Sequence, residues 1–249
     1  MKTGHFAITF GKVRKADFIA RLLMWISAAL MLAEMFTKNH GYATATYYIV
    51  AVNCVLLFIF QIASFSRDLL QFRAEKQKRL DLYDNSFGTK LSETHSEGYY
   101  SNDNVTPGYM KLAVNNFESV FFTYRILKED LYCTIAKAIF ICVLFVCVAI
   151  LGLKNIFVIL IQITLPITIL VESIRYAVTE SRVEGIYFEY RKLFEKKGSI
   201  RYADILTQLV NYTATLTAGS VLLSNRTYNR LNVSLSKEWE EIKKEFEIQ

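Results

Sequence analysis

Apolar residues in this chain do not recur in short amphipathic runs; they gather into four long stretches, at 18–36, 44–65, 131–153 and 156–174. Each is close to the ~20 residues that a helix needs to cross a hydrocarbon core. The turn Lys38-Asn39-His40-Gly41 joins the first two, and Leu153-Lys154-Asn155 joins the last two. Both links are too short to fold alone, so the stretches read as two helical hairpins. Between and after them the pattern changes to charged residues carrying one apolar stripe. Residues 67–83 lack Gly and Pro and set Leu69, Leu70, Ala74 and Leu80 among alternating charges, a helical extension of the second stretch. Helix is expected again from Lys111, where Ala113, Phe117, Val120, Phe121, Tyr124 and Leu127 fall on one face. Val183, Ile186, Tyr187, Tyr190, Leu193 and Phe194 define another such face after the fourth stretch, in a helix expected to stop at Gly198. A further helix is expected from Tyr202. A last one is expected after Ser236, with Trp239, Ile242 and Phe246 in register and Glu240 placed to pair with Lys244. No strand alternation stands out. The expected fold is all-α: an integral membrane protein with four transmembrane helices in two hairpins and a helical cytoplasmic layer.

Charge sets the expected orientation. Lys12, Arg14, Lys15 and Arg21 lie at the start of the first stretch. Arg67, Arg73, Lys76, Lys78 and Arg79 follow the second, and Arg175, Arg182, Arg191 and Lys192 follow the fourth. The opposite turns hold only Lys38 and Lys154. Basic loops stay cytoplasmic, which divides the chain into a cytoplasmic N-terminus (1–17), a first membrane hairpin (18–65), cytoplasmic helices and a loop (66–130), a second hairpin (131–174) and a cytoplasmic helical C-terminal region (175–249). The net charge of +6 in 249 residues is accounted for by this topology, and it also suits anionic lipid or a phosphate-bearing ligand. The first apolar run is too long for a signal h-region, so no cleavable leader is expected.

Catalytic and metal chemistry find little here. His5, His40 and His95 lie far apart, and Cys54, Cys133, Cys142 and Cys147 lack ligand spacing and sit in or beside apolar stretches. Phosphate loops, GxSxG elbows and HExxH helices are missing. No enzyme activity, metal or cofactor is expected. The Asn-x-Ser/Thr sequons at Asn104, Asn211, Asn225 and Asn232 fall on expected cytoplasmic segments and carry no meaning there.

Two groups of polar residues invite a role. Asn53 and Gln61 in the second span, and Thr164, Thr168 and Glu172 in the fourth, are polar where polarity is costly. They read either as interhelical hydrogen bonds or as the lining of a pore formed between subunits of an oligomer. The loop from Thr89 to Tyr109 places Lys90, Tyr99, Tyr100, Asn102 and Lys111 close in sequence. Aromatic faces stack on bases, Asn reads base edges and Lys neutralises phosphate. The other reading is a solvated surface loop. Arg73, Lys76, Lys78 and Arg79 concentrate positive charge, with Glu75, Asp81 and Asp84 nearly balancing it. The expected ligand set is Arg73, Lys76, Arg79, Lys90, Tyr99, Tyr100, Asn102 and Lys111.

The run from Arg73 to Gly88 (RAEKQKRLDLYDNSFG) after a membrane hairpin, then Gly98-Tyr99-Tyr100-Ser101-Asn102, the segment from Lys111 to Phe122 and a second hairpin resemble the SMODS-associated four-transmembrane effectors of bacterial antiphage defence. The resemblance covers most of the chain. It implies a homo-oligomer, a tetramer favoured, in the bacterial inner membrane with both termini cytoplasmic. Its expected partners are the lipid bilayer, a cyclic or linear nucleotide or oligonucleotide (DNA included), and the nucleotidyltransferase that makes it. The implied activity is an ion channel or pore that the ligand opens or, as in Hailong-type systems, holds closed, with depolarisation and growth arrest as the outcome. The alternative is a membrane scaffold or transport accessory that docks a cytoplasmic partner protein.

Overall fold

The computed structural model describes residues 6–92, 100, 102–152, 163–196 and 200–248. Among these, the helices in order are α1 (Phe6–Asn39), α2 (Ala43–Phe87), α3 (Tyr109–Gly152), α4 (Thr164–Glu195), α5 (Tyr202–Gly219) and α6 (Asn225–Glu245), with no strand. Their ends follow from local chemistry. Gly41 at φ +77 closes α1, where the Tyr42 amide donates to Thr37 O at 2.9 Å. Gly88 at φ +69 closes α2, with its amide on Asp84 O at 2.8 Å. Pro166 sits in the first turn of α4, where an amide hydrogen is not needed. The Ser224 side chain caps α6 by accepting from the Thr227 amide at 3.2 Å.

Some expectations shift. The N-terminal segment 6–17 is already helical as part of α1. α6 begins at Asn225, well before Ser236, because the cap at Ser224 starts a helix through a stretch whose Asn, Ser and Thr content disguises it. Glu240 pairs with Lys243 at 2.7 Å, one residue short of the expected Lys244. α4 ends at Glu195. The expected stop at Gly198, the turn 153–155 and residues 156–162 of the fourth span lie outside the described residues.

Two compact units partition the chain: an apolar unit, Gly11–Leu70 with Cys133–Ile174, and a polar unit, Met1–Phe10, Gln71–Tyr132 and Arg175–Gln249. α2, α3 and α4 each give one segment to each unit.

The interior of the apolar unit is a narrow seam. Ala20, Met24, Ala28 and Met31 recur along one face of α1 and meet Leu57 and Phe60 of α2, Ala138 and Ile141 of α3, and Leu165 and Ile169 of α4. Small residues on α1 let backbones approach closely. Phe18, Phe58, Ile139, Phe140 and Ile150 point outward and are exposed. Spans Ala7–Asn39, Ala43–Phe87 and Tyr109–Ile150 are long and apolar enough to cross a membrane, yet only 28%, 17% and 17% of their most apolar windows are buried. A helix that is apolar on its exposed side has lipid as its solvent. Two polar pairs bridge helices within this unit. Ser27 Oγ donates to Asn53 Oδ1 at 2.6 Å, and Gln61 Nε2 donates to Thr168 Oγ1 at 3.0 Å.

The polar unit has the opposite plan: a dense aromatic core and a charged exterior. Phe117 of α3, wholly buried, stacks on Tyr190 and Phe194 of α4, each with centroids 5.4 Å away, and meets the edge of Trp239 of α6 at 5.2 Å. Ala113, Val120, Phe121, Tyr124 and Leu127 complete the buried face of α3. α5 approaches α4 so closely that a Cβ on Gly219 would collide with the Thr179 side chain, so a larger residue here forces that side chain to shift.

Candidate functional site

In the polar unit, helical spacing brings a recess together. Glu75, Lys78, Arg79 and Leu82 occupy positions i, i+3, i+4 and i+7 of α2 and so share one face. Asn116 and Ser119 of α3 face them at i and i+3. Tyr212, Thr213 and Leu216 of α5 form the third wall, and Tyr100 supplies the fourth from the loop. The recess is shallow: its cavity volume is about 20 Å³, room for roughly one water, and it opens to solvent.

Its polar groups are unequally satisfied. Arg79 Nη2 donates to Thr213 O at 3.2 Å and to Thr217 Oγ1 at 2.5 Å, fastening α2 to α5. Tyr212 OH shares a hydrogen bond of 2.7 Å with Thr123 Oγ1 and donates to Ser119 O at 3.2 Å. Asn116 is wholly buried; its Nδ2 donates to Tyr190 OH at 2.6 Å, while its Oδ1 has no partner. Lys78 makes no hydrogen bond or ion pair with any described residue. Burial pulls its pKa down, but the Tyr212 hydroxyl, the Glu75 carboxylate and the Tyr228 hydroxyl outweigh burial and Arg79, so its pKa is raised and the ammonium persists.

Of the expected ligand residues, the recess collects Arg79 and Tyr100. Tyr100 is only 2% exposed and belongs to the core, so it forms a wall and presents no free face for stacking. Asn102, also expected to meet ligand, is equally buried. Its Nδ2 donates to Asn115 Oδ1 at 2.9 Å and Glu118 Oε2 at 2.6 Å, and Asn115 passes the network on to Asn85 and Ser86. This chain of amides fixes the loop to the ends of α2 and α3, a structural use of the residue. Arg73, Lys76 and Lys90 are exposed and Lys111 is buried, all outside the recess. Tyr99 lies outside the described residues. Glu75, Lys78, Asn116 and Tyr212 were absent from the expected set. The one-face spacing of Glu75, Lys78 and Arg79 was the only sequence signal for them, since Asn116 and Tyr212 join through tertiary packing.

The expected pore residues are also placed. Asn53 is 1% exposed and bonded to Ser27, so it faces the seam and not the outside of its unit. Gln61 and Thr168 are occupied with each other, and Thr168 Oγ1 also donates to Thr164 O at 2.8 Å. Glu172 keeps a half-exposed side chain and accepts from Arg67 Nη1 at 2.9 Å. For Asn53, Gln61 and Thr168, interhelical hydrogen bonding is the role seen. The physical reason is that an amide in an apolar helix finds its nearest partner on the neighbouring helix.

Where the loop leaves α2, Asp84 acts as an anchor. Its carboxylate accepts from the amides of Leu91 at 2.6 Å and Ser92 at 2.8 Å, from Thr89 Oγ1 at 2.8 Å and from the Ser92 hydroxyl. Burial opposes its charge, but these four donors outweigh burial and hold its pKa at about 2, below the ordinary 3.8. A depressed carboxyl pKa stabilises the fold above the unfolded value and loses that contribution as pH falls through the folded one. The anchor is therefore expected to be complete above about pH 4 and to release between about pH 4 and pH 2. Asp84→Ala is expected to remove about 1–2 kcal/mol at neutral pH, after allowance for solvent screening. Hydrogen exchange at the Leu91 and Ser92 amides checks this: faster exchange is expected in the variant, and unchanged exchange refutes the anchor.

No protein family, no curated protein and no solved structure matches this chain.

Proposed function

We propose that this chain is a membrane effector whose polar helical unit senses a nucleotide or oligonucleotide and whose apolar unit, assembled into a homo-oligomer, conducts ions. In this reading four helices span a bacterial inner membrane, both termini are cytoplasmic and a tetramer is the favoured assembly. A partner nucleotidyltransferase supplies the signal in antiphage defence, and the ligand opens the pore or holds it closed. The observation that carries the proposal is that α2, α3 and α4 each belong to both units. A ligand that prefers one packing of their polar segments acts on the same helices that build the apolar unit, which is the requirement for a ligand to shift a conformational equilibrium. The recess supports the sensing half, because it sets the Lys78 ammonium beside Asn116 Oδ1, a buried amide oxygen that no described residue satisfies.

A scaffold that docks a partner protein draws on a different feature. Tyr202, Leu206 and Val210 lie at i, i+4 and i+8 on α5 and are exposed, and α5 carries no charged residue after Asp204. Ion flux separates the two readings. Purified protein in liposomes is expected to show flux that one or more cyclic or linear ribo- or deoxyribo-oligonucleotides switch on or off. Absence of both flux and binding across such a panel defeats the channel reading and leaves the scaffold.

A further inference from the structure

The outer surface of the apolar unit is interrupted by charge at one place. Lys137 is the single charged residue of the stretch 131–153, and it is exposed on α3. A charge on a lipid-facing helix is costly unless its head reaches the interface or meets a counter-charge. One contact fixes its surroundings: Phe140 of α3 meets Trp25 of α1 with ring centroids 6.2 Å apart, and both rings are about half exposed. The same two helices share the seam through Ala20, Met24, Ala138 and Ile141. Successive membrane spans alternate in direction, so α1 and α3 run the same way. Arg21 lies one turn before Trp25, and Lys137 lies one turn before Phe140. The two cations therefore stand at one level on neighbouring helices. Arg21 pairs with Asp17, yet its side chain remains 59% exposed. One turn beyond the rings, on the side away from the cations, come exposed Ala29 and half-buried Leu144. A cationic pair thus heads an aromatic step and an apolar strip. A small soluble anion would meet the cations only, whereas an acyl-bearing phosphate meets both parts at once.

We propose that Arg21, Lys137, Trp25 and Phe140 form a site for an anionic phospholipid. The phosphate lies between the Arg21 guanidinium and the Lys137 ammonium, both of which are strong phosphate donors. One acyl chain follows the Trp25–Phe140 step towards Ala29 and Leu144. The nearby Asp17 carboxylate is turned into the seam, 10% exposed, and is shared between Arg21 and Arg67, so it leaves the Lys137 charge to the lipid. The inference rests on the bilayer part of the proposed function and is independent of nucleotide sensing and of ion flux.

Brominated phospholipids test this, since bromine on an acyl chain quenches a tryptophan that it touches. The chain has two tryptophans, and Trp239 is 1% exposed in the core of the polar unit, so Trp25 carries the signal. With the full chain in bilayers, brominated phosphatidylglycerol is expected to quench Trp25 at a share of the lipid about fivefold or more below that needed with brominated phosphatidylcholine. Arg21→Gln/Lys137→Gln is expected to abolish this preference while phosphatidylcholine still quenches. Lys12→Gln/Lys15→Gln, which removes two exposed charges elsewhere on α1, is expected to keep it. The comparison between lipids on the unaltered chain holds even where a variant fails to fold. Equal quenching by the two lipids, or a preference that survives Arg21→Gln/Lys137→Gln, overturns the site and leaves the bilayer reading intact. Loss of the preference on adding glycerol phosphate does the same, because it marks a site for a free anion. Absence of Trp25 quenching by either lipid overturns both.

Discussion

Phe117→Ala is expected to unfold the polar unit or bring it to the edge of unfolding. Phe117 has no exposed surface and makes ring contacts with Tyr187, Tyr190, Phe194, Trp239 and Phe246, so it joins α3 to α4, α6 and the turn after α6. Truncating a buried Phe loses its transfer free energy and leaves a cavity, together about 3–5 kcal/mol. The aromatic geometry adds to this, because offset and edge contacts are worth about 0.5–1.5 kcal/mol per pair beyond burial. A loss of that size is a large share of the stability of an ordinary domain. Phe117→Leu, which keeps most of the volume, is expected to cost less than half as much. The measurement is thermal unfolding followed by near-ultraviolet circular dichroism, where the packed rings report directly. An unfolding temperature for Phe117→Ala within a degree of the parent would remove Phe117 from the centre of this core.

The positions around Phe117 show why some of the molecule could be read in advance. A residue on an apolar stripe must be buried against something, so Ala113, Phe117, Val120, Phe121, Tyr124 and Leu127 are core whatever they meet. The same holds for Val183, Ile186, Tyr187, Tyr190 and Phe194, all buried in the structure. Periodicity identifies a face but not the partner of that face. Lys78, Asn116 and Tyr212 come from three helices, and the recess exists only once those helices cross.

Polar residues were harder because their partners decide their meaning. Tyr100 and Asn102 have the composition of a ligand loop, yet one is core and the other is a hydrogen-bonding bracket beneath Asn115 and Glu118. Asn53 has the look of a pore residue, yet Ser27 is its partner. Ser27 is itself inconspicuous, a small residue in an apolar run. A hydrogen bond between residues on different helices depends on their relative rotation, which composition does not encode.

Arg67→Leu is expected to have the largest effect in the apolar unit. Arg67 of α2 reaches Asp17 of α1 at 3.4 Å and Glu172 of α4 at 2.9 Å, and also pairs with its neighbour Asp68 at 3.0 Å. One guanidinium thus ties three helices: Nη1 serves Asp17 and Glu172 while Nε and Nη2 hold Asp68, a division among three carboxylates that an ammonium cannot copy. Its side chain is 13% exposed and that of Asp17 is 10% exposed. Removing one member of a buried ion pair leaves the other charge desolvated and costs about 3–5 kcal/mol. Asp17 retains Arg21, an exposed partner on its own helix, and Glu172 is half exposed, so a loss near about 3 kcal/mol is the expectation. The double variant Asp17→Asn/Arg67→Leu is expected to recover part of that loss, since no uncompensated buried charge remains. Arg67→Lys is expected to fall between the parent and Arg67→Leu. Thermal unfolding in nanodiscs reads all three, and additive losses from Asp17→Asn and Arg67→Leu would show that the two residues do not interact. If the apolar unit conducts ions, the clamp also bears on gating. Loosening α1 and α4 from α2 then changes resting flux in liposomes without ligand, while variants in the recess change only the response to ligand.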